Sequence, residues 1–286
     1  MFREGINFFT RHSKKFKSGK GLTESTDYRG LTDPEGVELA QKTTREQLKP
    51  MIDKLPKNAV MVIIGASEAV RTKSTARVYG NELNNLYRKN EQVIVKTRED
   101  IADPKTGYTN VIEKLTGEIN NHPDKKFVVD FPLAIKEFSM TNRWVDKKGN
   151  QTPYCDKLLE SVKDDDDLAV LKWVESNGEI DGIKGPKPLE VAEAYKNGFE
   201  RLRDFASTQI PGRPIFVGGA EHSWDLDVFI AYMTHGKVDP ASLRQIMGAE
   251  EKMIQETEPF YFRVEPDKIV SRYRGQDYEF ALTDEN

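Results

Sequence analysis

Phe8-Phe9-Thr10-Arg11-His12-Ser13-Lys14-Lys15 is the stretch on which the fold turns: an apolar run stops at an arginine–histidine pair and becomes strongly basic. Ile6, Phe8 and Phe9 suit a buried strand. Open α/β sheets place their ligands beyond the carboxyl ends of their strands, so Arg11 and His12 are expected at the rim of a pocket. An imidazole there is able to attack phosphorus. A guanidinium beside it holds phosphoryl oxygens with a fork of donors that a lysine does not reproduce. An Arg-His pair alone is common on solvated surfaces, so the rest of the chain has to supply the context.

Immediately downstream, Lys14-Lys15-Phe16-Lys17-Ser18-Gly19-Lys20-Gly21 lacks the earlier glycine that a phosphate-cradling loop sets before Gly-Lys-Ser/Thr. It reads as a lysine-rich loop placed to attract an anion. Thr32 or Asp33 is expected to cap a helix, with Pro34 tolerated in its first turn and Thr32 and Glu35 at capping-box spacing. The apolar stripe Val37, Ala40, Leu48, Met51, Ile52 and Leu55 then runs to a stop at Pro56-Lys57-Asn58. Val60-Met61-Val62-Ile63-Ile64, followed by Gly65, reads as a strand buried on both faces. Ser67 to Ala76 reads as a loop entering a helix, which sets Arg71 near a strand end and a helix amino terminus. That is a second anion position, because unpaired N–H groups and the helix dipole favour negative charge.

The helix continues through Val78, Leu83, Leu86 and Tyr87. Gln92 to Lys96 is expected as a strand, closed by Thr97-Arg98-Glu99-Asp100 with its two carboxylates. A helix from Val111 to Ile119 and a strand from Phe127 to Phe131 follow. Between Ala134 and Gly178 the texture changes; Trp144 to Asn150 reads as a hairpin tip or exposed loop, and residues 134–210 as an insertion or cap. Asp164-Asp165-Asp166-Asp167 lacks the alternating ligands and turn glycine of a calcium loop and reads as a solvated helix face. Gly182 to Pro188 breaks the chain before helical spacing returns from Leu189 to Ala206. Ile215 to His222 then repeats the opening pattern, a β-like run ending in glycines and a histidine. His122 and His235 lie beside loop residues and are expected to be exposed. Phe260 to Val264 and Ile269 to Arg274 alternate about Glu265-Pro266-Asp267, as a hairpin at a sheet edge does.

Composition narrows the function classes. With 286 residues and 37% hydrophobic content, the chain is able to bury one large α/β core carrying an insertion. Forty-three basic against 47 acidic residues give a formal charge of -4, which argues against the broad positive field of nonspecific nucleic-acid binding. Arg3 and Glu4 interrupt the apolar core a signal peptide needs, and no later stretch is long enough to span a bilayer. The single Cys155 offers neither a disulfide nor metal-ligand spacing. A cytoplasmic setting without a membrane partner is the expectation. These patterns do not encode strand order or oligomeric state.

Arg11-His12, Leu31-Thr32-Asp33-Pro34-Glu35-Gly36, Ser67 through Ala76 and Gly219 to His222 together resemble the histidine phosphatase superfamily, the group that includes the phosphoglycerate mutases. The order and spacing agree across about three-quarters of the chain. The resemblance implies a three-layer α/β/α sandwich with a mainly parallel central sheet, a helical insertion and a carboxyl-terminal β-hairpin. It also implies metal-independent hydrolysis of a phosphomonoester, with no cofactor. His12 would form a phosphohistidine while Arg11, Arg71 and His222 neutralise the equatorial oxygens. Ser13, Ser67 and Lys14 would complete the phosphate-binding set. The family draws its acid from the region after the second arginine, which points to Glu99, with Asp100 in reserve. The substrate would be a phosphorylated small molecule or a phosphoprotein.

Departures sharpen the reading. Ser13 replaces the usual glycine, and Lys14 and Lys15 stand where smaller or acidic residues are frequent. Ser223 follows His222, so the His-Asp pair of phytase-like acid phosphatases is absent, as are the mutase signatures. A histidine acid phosphatase-like phosphomonoesterase is therefore favoured over a mutase. The alternative is a catalytically inactive phosphate- or phosphoprotein-binding module of the same fold.

Overall fold

The structure is a computed structural model that describes residues 6–17, 22–103, 105 and 107–282. Arg3, Glu4 and residues 18–21 of the basic loop lie outside the described residues.

The opening stretch forms β1 (Asn7–Arg11), and its two phenylalanines face opposite ways. Phe9 joins an apolar cluster with Val60, Val62 and Ile64, while Phe8 joins a second one with Met61 and Ile63. Side chains alternate across a sheet, so a strand covered on both sides must be apolar at every position. The run Val60–Gly65 is β2, fully buried along its length.

Six further strands complete one sheet: β3 (Val93–Lys96), β4 (Lys126–Phe131), β5 (Ile215–Glu221), β6 (Pro259–Val264), β7 (Lys268–Tyr273) and β8 (Gln276–Ala281). Their spatial order is β8-β7-β6-β1-β5-β2-β4-β3. The strands from β1 to β3 in that order are parallel; β6, β7 and β8 are antiparallel. The fold is thus an α/β sandwich with a mainly parallel centre. The carboxyl-terminal hairpin carries a third strand, β8, absent from the sequence reading. Its Asp277 and Glu279 blunt an exposed sheet edge and dilute the apolar alternation that would have announced it.

One face carries α1 (Glu35–Thr43), which continues through a π-helical turn into Lys49–Asp53, and α2 (Val70–Tyr87). The expected capping box is not formed. Pro34 occupies the cap position without a side-chain hydrogen bond, because Thr32 is held one step back in a short ladder with Glu24, and Glu35 pairs with Lys14. The Thr32 hydroxyl still accepts the Gly36 N–H at 3.0 Å. Beyond β3 come the short α3 (Arg98–Ile101) and α4 (Val111–Asn120).

The region from 134 onward builds α5 (Pro153–Ser161), α6 (Asp166–Glu175) and α7 (Pro188–Gln209), followed after β5 by α8 (Ser223–His235) and α9 (Pro240–Met247). Trp144 corrects the expectation of an exposed loop: it is 2% exposed. Its ring meets Trp173 and Trp224 edge-on at 4.7 and 4.9 Å, and of this stretch Lys147–Asn150 faces solvent. An indole of this size gains more from enclosure than a tight turn gains from its company. His122 and His235 are half-buried rather than exposed. Among the described residues, no helix is long and apolar enough to cross a membrane.

Candidate active site

Three stretches far apart in sequence converge because β5 lies between β1 and β2. Arg11 pairs with Glu221, and Gly65 with Ala220. His12 therefore follows β1, Arg71 stands in the first turn of the helix after β2, and His222 follows β5. Gly65 makes the middle connection possible. A Cβ there would lie 2.4 Å from the Cα of Lys73, so the strand end and the first turns of α2 touch through backbone alone.

Arg71 bridges the two histidines. Its Nε–H donates to Nε2 of His12 and its Nη2 to Nδ1 of His222, each at 3.0 Å. A guanidinium only donates, so both of those ring nitrogens carry lone pairs. The remaining nitrogens follow: Nδ1–H of His12 donates to the Ser13 carbonyl at 2.7 Å, and Nε2–H of His222 donates to the Ser67 hydroxyl at 2.9 Å. The rings stand 5.3 Å apart at 70°. His12 is thereby held in the tautomer whose Nε2 is unprotonated and accepts from Arg71.

Burial lowers the pKa of both imidazoles well below the ordinary value, and the Arg71 charge pushes further in the same direction. Lys15 is lowered for the same reasons in the same order. Arg11 donates from Nη1 to the Ile254 carbonyl at 3.2 Å, and the Ile254 N–H donates to Asp227 of α8 at 2.8 Å. Buried and with one oxygen unpartnered, Asp227 has its pKa pushed up to about 8 by desolvation.

A cavity of about 220 Å³ opens over these groups. Arg11, His12, Arg71 and His222 form its floor, with Lys15 and Asp166 also in the lining and Met140, Trp144 and Trp224 forming apolar wall. Asp225 reaches it as well, but Arg143 Nη1, Trp144 Nε1 and Tyr195 Oη already donate to that carboxylate, at 2.6, 2.7 and 3.3 Å. Three cations against one unsaturated carboxylate make a site for an anion. Larger hollows exist, one of about 620 Å³ around Lys136, Thr152 and Lys184, but its lining holds no histidine. Among the described residues, no three His, Cys, Asp or Glu side chains gather as a metal set.

Solved structures that overlay on the chain include a mycobacterial glucosyl-3-phosphoglycerate phosphatase, at 10% identity and TM-score 0.46, covering 94% of this chain and 97% of that one. YhfR of Bacillus stearothermophilus overlays at 10% identity and TM-score 0.46, covering 95% and 96%. A protein described as mycobacterial hydrolase 2 does so at 12% identity and TM-score 0.45, covering 98% and 93%. No family model and no curated protein matches the sequence.

Other expected site residues are placed elsewhere. Lys14 turns outward to Glu35, and the neighbouring Lys15 enters the cavity instead, since successive side chains leave an extended backbone on opposite sides. The Ser13 hydroxyl is spent on the Gly36 carbonyl at 2.5 Å. Ser67 stands behind His222 and orients it. Glu99, 50% exposed, is ion-paired with Arg77 two turns along α2. Asp100 closes the capping box of α3 with Thr97, and Arg98 is drawn to the buried Asp130. The whole Thr97–Asp100 segment is engaged in structure and lines no part of the cavity. Of the residues missed, Trp224 and Lys15 adjoin quoted motifs; Met140, Asp166 and Asp225 carried no signal that spacing alone could expose.

Proposed function

We propose that this chain hydrolyses phosphomonoesters through a phosphohistidine on His12, without a metal. The observation that carries the reading is Arg71 spanning Nε2 of His12 and Nδ1 of His222. A phosphoryl group entering between the rings takes the place of those two nitrogens as acceptor for the guanidinium. Release of Arg71 frees the Nε2 lone pair for attack in line with the ester oxygen. Arg11 and Lys15 then face the remaining phosphoryl oxygens, and donors fixed in a dry site stabilise the charge that spreads over them in the transition state. Neutral His222, with its Nε2–H given to Ser67, borders the site as packing surface and as an acceptor for Arg71 rather than as a cation.

The cavity, about 220 Å³, admits a phosphoryl group with a small ester or a phosphorylated side chain presented at its mouth. Met140, Trp144 and Trp224 favour an apolar or planar leaving group. We take residues 134–187 as the roof of the site, with α7 belonging to the layer that covers the sheet. The test is turnover of p-nitrophenyl phosphate in the presence of a chelator, with His12→Ala beside the parent protein. Release of nitrophenol by the parent and none by the variant supports the reading; equal rates remove His12 from it.

A further inference from the structure

The acid that protonates the leaving oxygen has no candidate in the Thr97–Asp100 segment, and the cavity itself offers one. The aspartate run at the start of α6 is divided among different tasks. Asp165 caps the helix by accepting the Asp167 and Leu168 N–H groups, each at 3.0 Å. Asp167 pairs with Lys252 at 2.7 Å and accepts the Met253 N–H at 3.0 Å. Asp166 alone of the three lines the cavity. Its main-chain carbonyl accepts the Trp224 indole N–H at 3.2 Å, which ties it to the helix that begins beside His222. Its carboxylate accepts no hydrogen bond from the described residues.

The other carboxylates near the site are saturated or lie outside its lining. Asp225 is saturated by three donors. Glu68 accepts from the Ser139 hydroxyl and from Thr141 backbone and hydroxyl, outside the cavity lining. Glu221 is sealed behind His222 and is also outside the lining. Lys15, in the same lining, is near enough for its charge to feel that of Asp166.

We propose that Asp166 is the proton donor to the leaving group and the base that then activates water. This rests on the phosphohistidine reading above. Nε2 of His12 forms a bond to phosphorus as the ester P–O bond breaks, and the departing oxygen keeps that electron pair and takes the proton of the Asp166 carboxyl. In the second step the Asp166 carboxylate takes a proton from water, the water oxygen bonds to phosphorus, and the P–N pair returns to His12. Asp166 ends protonated, as it began.

The test compares Asp166→Asn with the parent on two substrates. p-Nitrophenolate leaves without a proton, whereas the alkoxide of glycerol 2-phosphate does not. The expected result is a loss of roughly 10²–10³-fold on glycerol 2-phosphate but under about tenfold in the first, nitrophenol-releasing turnover of p-nitrophenyl phosphate. Slow hydrolysis should then leave phosphorylated His12 accumulating in the variant. Equal losses on both substrates, or no loss on either, overturn the role of Asp166 while leaving phosphohistidine chemistry in place. Absence of phosphate on His12 in the parent protein during turnover overturns both.

Discussion

At the residue scale, the proposed chemistry depends on which nitrogen of His12 is unprotonated. The Ser13 carbonyl accepts the Nδ1–H and Arg71 points its own N–H at Nε2, so the proposed nucleophile is selected by two hydrogen bonds. Removing Arg71 takes away both this alignment and the charge facing the phosphoryl oxygens. Arg71→Ala is expected to lower kcat roughly 10²–10³-fold, measured by steady-state kinetics. The pH dependence has a definite sign. Protonation removes the lone pair, and the His12 pKa lies well below the ordinary value. The acid limb of kcat/KM should therefore fall below about pH 6.5, the usual imidazole range. Burial of the neutral ring also couples to folding: its stabilisation is complete above the unfolded pKa and is lost as pH falls towards the folded one. Much of this was legible. Arg11-His12, Arg71 and His222 were marked by strand-end position. Glu99 misled because a carboxylate following the right strand is indistinguishable in sequence from one that turns back to an arginine on the neighbouring helix, as Glu99 does to Arg77.

At the element scale, the site is set by how closely α2 settles on β2 and by what stands behind β1. Gly65→Ala would drive a methyl group into the backbone of Lys73. It is expected to cost about 1–3 kcal/mol in urea unfolding and to lower turnover, because the displaced first turn carries Arg71. Behind β1, the Ile254 peptide is clamped between Arg11 and Asp227. Asp227 titrates at about 8 in the folded chain against about 4 when unfolded. The folded state thus holds a proton that the unfolded state has lost, and stability from this group falls as pH rises through that interval. Asp227→Asn should flatten that decline between about pH 4 and 8, read as melting temperature against pH. The strands were legible as continuous apolar runs because both faces of the sheet are covered. The edge strand β8 and the cap of α1 were not, since each is decided by a tertiary neighbour: solvent for the first, and the Glu24 ladder and Lys14 for the second.

At the scale of the whole molecule, the segment proposed to roof the site is fastened to α8 through Asp225. Arg143 and Trp144 reach it from that segment and Tyr195 from α7, the last two in the interior and Arg143 half-buried. Asp225→Ala would strand a half-buried guanidinium. It is expected to cost about 3–5 kcal/mol by chemical denaturation, more than an exposed ion pair such as Lys187–Glu190 is worth. The sequence announced a change of texture after Ala134, yet not that Trp144 would turn inward or that Asp166 would reach the cavity. Period and propensity describe an element's own faces; which carboxylate arrives at a pocket is decided by the packing of several elements.

The most direct measurement is rapid chemical quench during turnover of p-nitrophenyl phosphate, followed by alkaline-stable peptide mapping by mass spectrometry. A phosphate on the peptide containing His12, formed and lost at rates compatible with turnover and absent in Arg71→Ala at the same early times, is the predicted result. Turnover with no phosphate on His12, or with phosphate on another residue, would contradict the account.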